Sequence, residues 1–241
     1  MPGMPEAWRV ETLLQGTGYS SSATLLRHSS HQVVVDTGLS IQEADLLHAL
    51  RARGLEPADI DIVINTHLHV DHCLNNVLFP RAEIFLSERE WRWTTAFYQA
   101  IFGARDVGHA AIEFYPELAS YRLSPRTIRN VARLARMFWR ADRLGRPERF
   151  RWLESSPLPA GLELMATPGH TPYHVSIRVP SAGTIVAGDA VLAEDLDAKV
   201  KTMIPYSRDL YLRSRDEVLQ AGLTVVPGHG RAFQPSPNLV S

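Results

Sequence analysis

Apolar runs bounded by turn residues divide the chain into two series of strands. Three runs open it, at about 8–14, 22–27 and 31–36, and the third, "HQVVVDTG", ends in a turn signal. The period then changes. In "SIQEADLLHALRARG", Ile41, Ala44, Leu47 and Leu50 fall on one helical stripe, Ser40 with Glu43 supplies a capping box, and Gly54 stops the helix. "DIDIVINT" reads as a buried strand. A second strand series comes late: "LELMAT" at 162–167, "HVSIRV" at 174–179, "GTIVAG" at 183–188 and "LTVVPG" at 223–228. Between the series, about 88–150, helical patterns and aromatics dominate. The pattern predicts an α/β chain of two β-rich halves interrupted by a helical insertion, in one large domain or two small ones.

Composition narrows this only slightly. A chain of 241 residues with 45% hydrophobic and 21% charged positions is long enough to bury a core. The net charge of −1 gives no global field toward nucleic acid or an anionic membrane. No apolar stretch approaches the roughly 18 residues of a membrane span, and the N-terminal residues lack the pattern of a secretory signal. The single cysteine, Cys73, rules out an internal disulfide and suits a reducing cytoplasm. The expectation is a cytoplasmic protein, with a homodimer left open.

Candidate chemistry is concentrated in "INTHLHVDHCLNN", which holds His67, His69, Asp71 and His72 within six positions. His67 and His69 alternate, and so point the same way if the backbone stays extended. Asp71 and His72 then sit where a turn or helix begins. Imidazole nitrogen and carboxylate oxygen suit zinc, with iron or manganese as alternatives. Three further ligand types each follow an apolar strand: His170 in "ATPGHTPYH", Asp189 in "IVAGDAV" and His229 in "VVPGHGR".

HxHxDH followed by His170 in TPGH, Asp189 in GD and His229 in PGHG resembles the metallo-β-lactamase superfamily over about residues 10–87 and 155–232. The resemblance implies a single domain over 1–241, a four-layer αββα sandwich with a metal site at one edge between the sheets. Carried over position by position, it implies that His67, His69 and His170 hold one divalent transition-metal ion, zinc in first place. Asp71, His72 and His229 would hold a second, and Asp189 would bridge the two. It also implies hydrolysis of a small ester, lactone or thioester by a hydroxide shared between the ions, with Asp71 orienting it and passing a proton to the leaving group. Within the superfamily the chain is most similar to lactonases and glyoxalase-II-like hydrolases, and it departs from the lactonases at two places. Leu192 stands where they carry a tyrosine, and Tyr173 stands at the second glycine of their PGHSPGH turn. Tyr173 is therefore a candidate substrate contact, and His174 a hydrogen-bonding neighbour of the ligands.

The insertion adds two features. Arg126, Arg129, Arg133, Arg136, Arg140 and Arg143 recur at spacings of three and four, opposite an apolar face of Ile128, Val131, Ala135 and Phe138 with Trp139 beside them; Ser124 and Pro125 open the helix. From Tyr121 to Ser155 ten arginines face three acids, leaving the rest of the chain at −8. The stripe is a solvated face or a surface for an anionic substrate or membrane. "EWRWTTAFYQAIF" gathers aromatics that could wall a substrate pocket, with Trp93 as a candidate contact. Phosphodiester or nucleic-acid cleavage, and metal retention for binding or sensing without turnover, are the competing functions.

Overall fold

The computed structural model describes residues 7–120, 124–193 and 205–236. Among these residues ten strands form two sheets. The first has six strands in sequence order: β1 (Arg9–Leu14), β2 (Ala23–Arg27), β3 (Gln32–Val35), β4 (Ile62–Ile64), β5 (Glu83–Leu86) and β6 (Phe150–Trp152). The second has four: β7 (Glu163–Ala166), β8 (Val175–Val179), β9 (Thr184–Gly188) and β10 (Thr224–Pro227), arranged β10-β9-β8-β7. The first sheet starts as an antiparallel meander and turns parallel from β3 onward.

Strand alternation builds the layers. Val33 and Val35 of β3, with Ile62 and Ile64 of β4, face Val175, Ile177, Val179, Val186 and Val226 of the other sheet, forming the inter-sheet core. Their neighbours Val34 and Val63 point the opposite way, into a core closed by helices. On the far side, Ile185, Ala187 and Val225 pack on Val218 and Leu219 of α7 (Arg208–Gln220). Because successive side chains of a strand face opposite sides, short runs of apolar residues fill three cores, and helix, sheet, sheet and helix stack as four layers.

The helices on the first sheet are α1 (Glu43–Arg51) and those of the insertion: α3 (Glu88–Gly103), α4 (Val107–Phe114), α5 (Glu117–Ser120) and α6 (Pro125–Phe138); the single turn α2 (Val70–Cys73) carries part of the histidine cluster. Local chemistry sets their starts. Ser87 accepts a hydrogen bond from the Glu90 amide, Asp106 from those of Gly108 and His109, and Ser124 from that of Thr127, with Pro125 in the first turn.

Several sequence expectations need correction. Ser40 does not cap α1: it opens a 3-10 turn, and Gln42 instead accepts from the Leu39 amide through Oε1 at 3.1 Å. That turn rotates the register, so Leu46 and Leu50 are buried while Ile41 is 74% exposed. Sequence patterning had also passed over β5 and β6. The insertion therefore does not separate two sheet-forming halves cleanly, because the chain returns from it to add β6 alongside β5. The basic stripe is shorter than its spacing implied. Helix α6 ends at Phe138; Arg140 pairs with Asp142, and Arg143 turns inward to bond Leu74 O, Glu43 and Asn75. Arg122 of the basic insertion and both lysines lie outside the described residues.

Candidate metal centre

The ends of β4, β7, β9 and β10 converge at one edge of the sandwich, where α/β sheets characteristically place their sites. The chain leaves β4 through two bends before α2 begins, with His69 extended in the cap position. His67 and His69 therefore approach edge to face, with ring centroids 4.6 Å apart, instead of lying parallel on one strand face. His170 joins them, its Nε2 lying 2.8 Å from His69 Nδ1.

Two donor groups result: His67, His69, His170 and Asp189 form one, and Asp71, His72 and His229 the other, with the donor atoms of each group within 4.8 Å of one another. Asp189 faces both. Its Oδ2 is 3.2 Å from His170 Nε2, while its Oδ1 is 3.2 Å from His72 Nε2 and 3.5 Å from His229 Nε2. Gly228 makes this approach feasible, since a Cβ there would collide with Asp189 Oδ1. All seven residues predicted as ligands thus meet at one place.

The outward nitrogens are mostly held. His72 Nδ1 lies 2.8 Å from Asp36 Oδ2, His229 Nδ1 2.5 Å from Thr17 O, His67 Nδ1 3.1 Å from Thr66 Oγ1, and His69 Nε2 2.6 Å from Tyr115 Oη. The inward atoms contrast with them. His67 Nε2, His72 Nε2 and Asp189 Oδ1 are buried without a hydrogen-bond partner among the described residues. Buried polar atoms are normally satisfied, so orphans converging from several elements fit a cation between them, and imidazoles oriented by outer partners are the usual support for metal ligands.

Electrostatics divides the groups. Burial lowers the pKa of His69 to about 4 despite Asp71 and Asp189, and pushes His67 and His170 well below the usual histidine range. These imidazoles keep free lone pairs at neutral pH. For His72 burial acts in the same direction, but Asp189, Asp36 and Asp71 outweigh it and raise its pKa to about 10. His229 rises to about 12 because Asp189 and Asp71 outweigh its burial. For Asp189 burial opposes ionisation, and the surrounding His229, His72 and His170 nevertheless hold its carboxyl well below the usual range.

Three contributors were missed in the sequence. Asp36 ends β3 in the left-handed region (φ 56°) and also accepts from the Thr66 amide and hydroxyl; its signal was an aspartate between an apolar strand and a Gly turn. Tyr115, at the end of α4, had no signal beyond its place in the insertion. Glu90 is 1% exposed and joins the two histidine-bearing loops, accepting from Thr171 Oγ1 at 2.9 Å and from the Leu68 amide at 3.4 Å.

Beside the donors lies a cavity of about 290 Å³, bounded by His69, Val70 and Asp71 on one side and by insertion helices on the other. Trp93 and Tyr173 are not among its lining residues. Trp93 packs behind the wall, edge to face with Tyr115 at 5.1 Å, and Tyr173 lies under Arg89 at the surface. His174 is not free to act as a ligand: its Nε2 accepts the Asp189 amide at 3.1 Å and its Nδ1 meets Thr167 Oγ1 at 2.8 Å.

A family model described as the metallo-beta-lactamase superfamily matches residues 16–229. A curated relative, metallo-beta-lactamase domain-containing protein 1 of Xenopus laevis, is 28% identical over 97% of this chain and 84% of its own. Among solved structures, AbOPH, a hydrolase in the beta-lactamase superfamily, superposes with a TM-score of 0.65 at 17% identity, covering 100% of this chain and 97% of its own. AidC, a dizinc quorum-quenching lactonase, gives 0.59 at 17% identity, covering 90% and 79%. These structural likenesses show the fold.

Proposed function

The chain belongs to the metallo-β-lactamase superfamily, whose members are metal-dependent hydrolases, and from that premise we propose that it is a dinuclear enzyme cleaving a small ester, lactone or thioester. The observation carrying this reading is Asp189, whose two oxygens face two separate donor groups beside a cavity. His67, His69 and His170 would hold one ion, Asp71, His72 and His229 the other, and Asp189 both; zinc suits this nitrogen-rich set, with iron or manganese as alternatives. Bound ions would supply an activated water and polarise the carbonyl.

The chain's own residues do the rest. Asp71 lines the cavity as well as belonging to the second group, its Oδ2 lying 3.3 Å from His229 Nε2. It would orient the attacking water, take the proton that the water loses and pass it to the departing alcohol or thiol. Tyr115 and Asp36 hold His69 and His72 in orientation, and Glu90 ties the two histidine loops together. The dizinc lactonase with the same fold supports both the metal count and the bond type.

The phosphodiesterase alternative rested on the arginine stripe. None of those arginines lines the cavity, and Arg140 and Arg143 are committed elsewhere. The test is a panel of a γ-lactone, a thioester and a bis-aryl phosphodiester assayed with the same metal-loaded preparation. Turnover of an acyl substrate is expected. Phosphodiester cleavage alone, or no turnover by fully loaded protein, would overturn the reading.

A further inference from the structure

The cavity beside the donors has a composition that the proposed chemistry does not require. Past His69 and Asp71 its walls are Phe97 and Tyr98 of α3, Ala111 of α4, Leu118 of α5, Tyr115 between those two helices, and one face of α6. That face presents Ile128, Val131, Ala132, Leu134, Ala135 and Phe138 to the cavity, while Arg126, Arg129 and Arg133 point to solvent. Among the described residues no charged side chain lines it except at the donor end, and no asparagine, glutamine, serine or threonine does. Val131 and Leu134 line the cavity and remain about half exposed, at 50% and 51%.

Beyond its mouth such a cleft offers a polar ligand no side chain with a polar group except the phenol of Tyr98 among the described residues. A sugar, nucleotide or peptide entering it would lose hydrogen bonds to water without replacement. An apolar chain would gain from every methylene buried. At about 290 Å³ the space lies near the lower end of small-molecule sites, which run from about 300 to 1,000 Å³. Three alanines, Ala111, Ala132 and Ala135, keep it open between bulkier neighbours.

We propose that this cleft binds an apolar acyl chain whose scissile carbonyl sits at the His69–Asp71 end, and that Ala132 and Ala135 of α6 set the chain length accepted. This rests on the hydrolase reading and deepens it: the substrate class is a medium-chain acyl ester or thioester, or a lactone bearing such a chain. Tyr115 stands at the junction, its ring in the cleft wall and its hydroxyl on His69.

Two measurements on the protein as purified test it. Binding of butanoate, hexanoate, octanoate and decanoate, followed by calorimetry, should tighten by about four-fold per added methylene until the cleft is full. Hydrolysis of the p-nitrophenyl esters of the same acids should rise in kcat/KM along the series. Ala135→Phe, at a half-buried position, should lower the decanoyl-to-butanoyl ratio by ten-fold or more, and Arg133→Ser, on the outward face, should leave that ratio unchanged. Leu134→Asp, on the exposed rim, provides a second variant that does not overfill the core and should also lower the ratio. A flat binding series, or ratios that both cleft variants leave unaltered, would overturn the proposal even if esters are hydrolysed. Chain-dependent binding without hydrolysis would uphold the cleft and sink the hydrolase reading instead.

Discussion

At the residue scale the assignment turns on Asp189 and on the atoms behind each imidazole. Asp189→Asn keeps the shape but removes the charge offsetting two dications. At least one ion should become weakly bound and kcat should fall by roughly 10²-fold or more, about 2.7 kcal/mol of transition-state stabilisation. Tyr115→Phe is a narrower cut. It deletes only the hydroxyl on His69 Nε2, so the first group alone should lose affinity, by about 10–100-fold. Chelator competition on both variants separates the two cases: a mild, equal loss in each would mean that Asp189 serves one ion only.

At the element scale, most of the scaffold was legible because alternation and turn residues are local signals. The strands delivering Asp189 and His229 were recognised within one residue at each end, and the one delivering His67 within three. What failed depended on distant partners. β5 and β6 are short and become strands by pairing with each other and with β4. Arg143 looked like the end of a surface stripe, and only the approach of Leu74 and Asn75 draws it inward. Glu90 was similarly hidden, reading as the polar start of an aromatic helix.

Glu90 has a measurable consequence for the way α3 holds the histidine loops. Burial pushes its pKa to about 7, against the hydrogen bonds from Thr171 and Leu68. An acid whose pKa is raised on folding keeps its proton in the native state while the unfolded chain loses it. Its contribution to stability therefore falls as pH rises from about 4.5 to about 7, by at most on the order of 3 kcal/mol. Glu90→Gln removes that slope. Urea unfolding at pH 5 and pH 8 should show the variant gaining on the parent at the higher pH; parallel behaviour would mean the carboxyl is ionised in the folded protein.

At the scale of the whole molecule, two sheets and an insertion bring together donors spread from His67 to His229. The order of these ligand types along the chain was readable, as were the turns carrying them. The cavity was readable in part: the aromatic stretch expected to wall a pocket supplies Phe97 and Tyr98, whereas Trp93 packs behind the wall and the sides from α4 to α6 depend on how those helices lean on one another. The two donor groups also differ in their proton content. His67, His69 and His170 are neutral at pH 7, whereas His72 and His229, at about 10 and about 12, carry protons in the metal-free protein. Their raised values stabilise the metal-free fold fully below pH 6.5, and that stabilisation is lost as pH climbs toward about 10 for His72 and about 12 for His229. A second ion must displace both protons. Its affinity should therefore weaken as pH falls, while the first ion is nearly indifferent at neutral pH. Titrations at pH 7 in two buffers of different ionisation enthalpy should confine proton release to the second equivalent; equal release in both steps would reverse the division.

Most direct is the metal content itself. Elemental analysis of protein purified without added metal, followed by titration with zinc, should give close to two transition-metal ions per chain. No bound metal and no uptake on titration would contradict the account at its centre, because the seven converging donors would then be holding one another and not an ion.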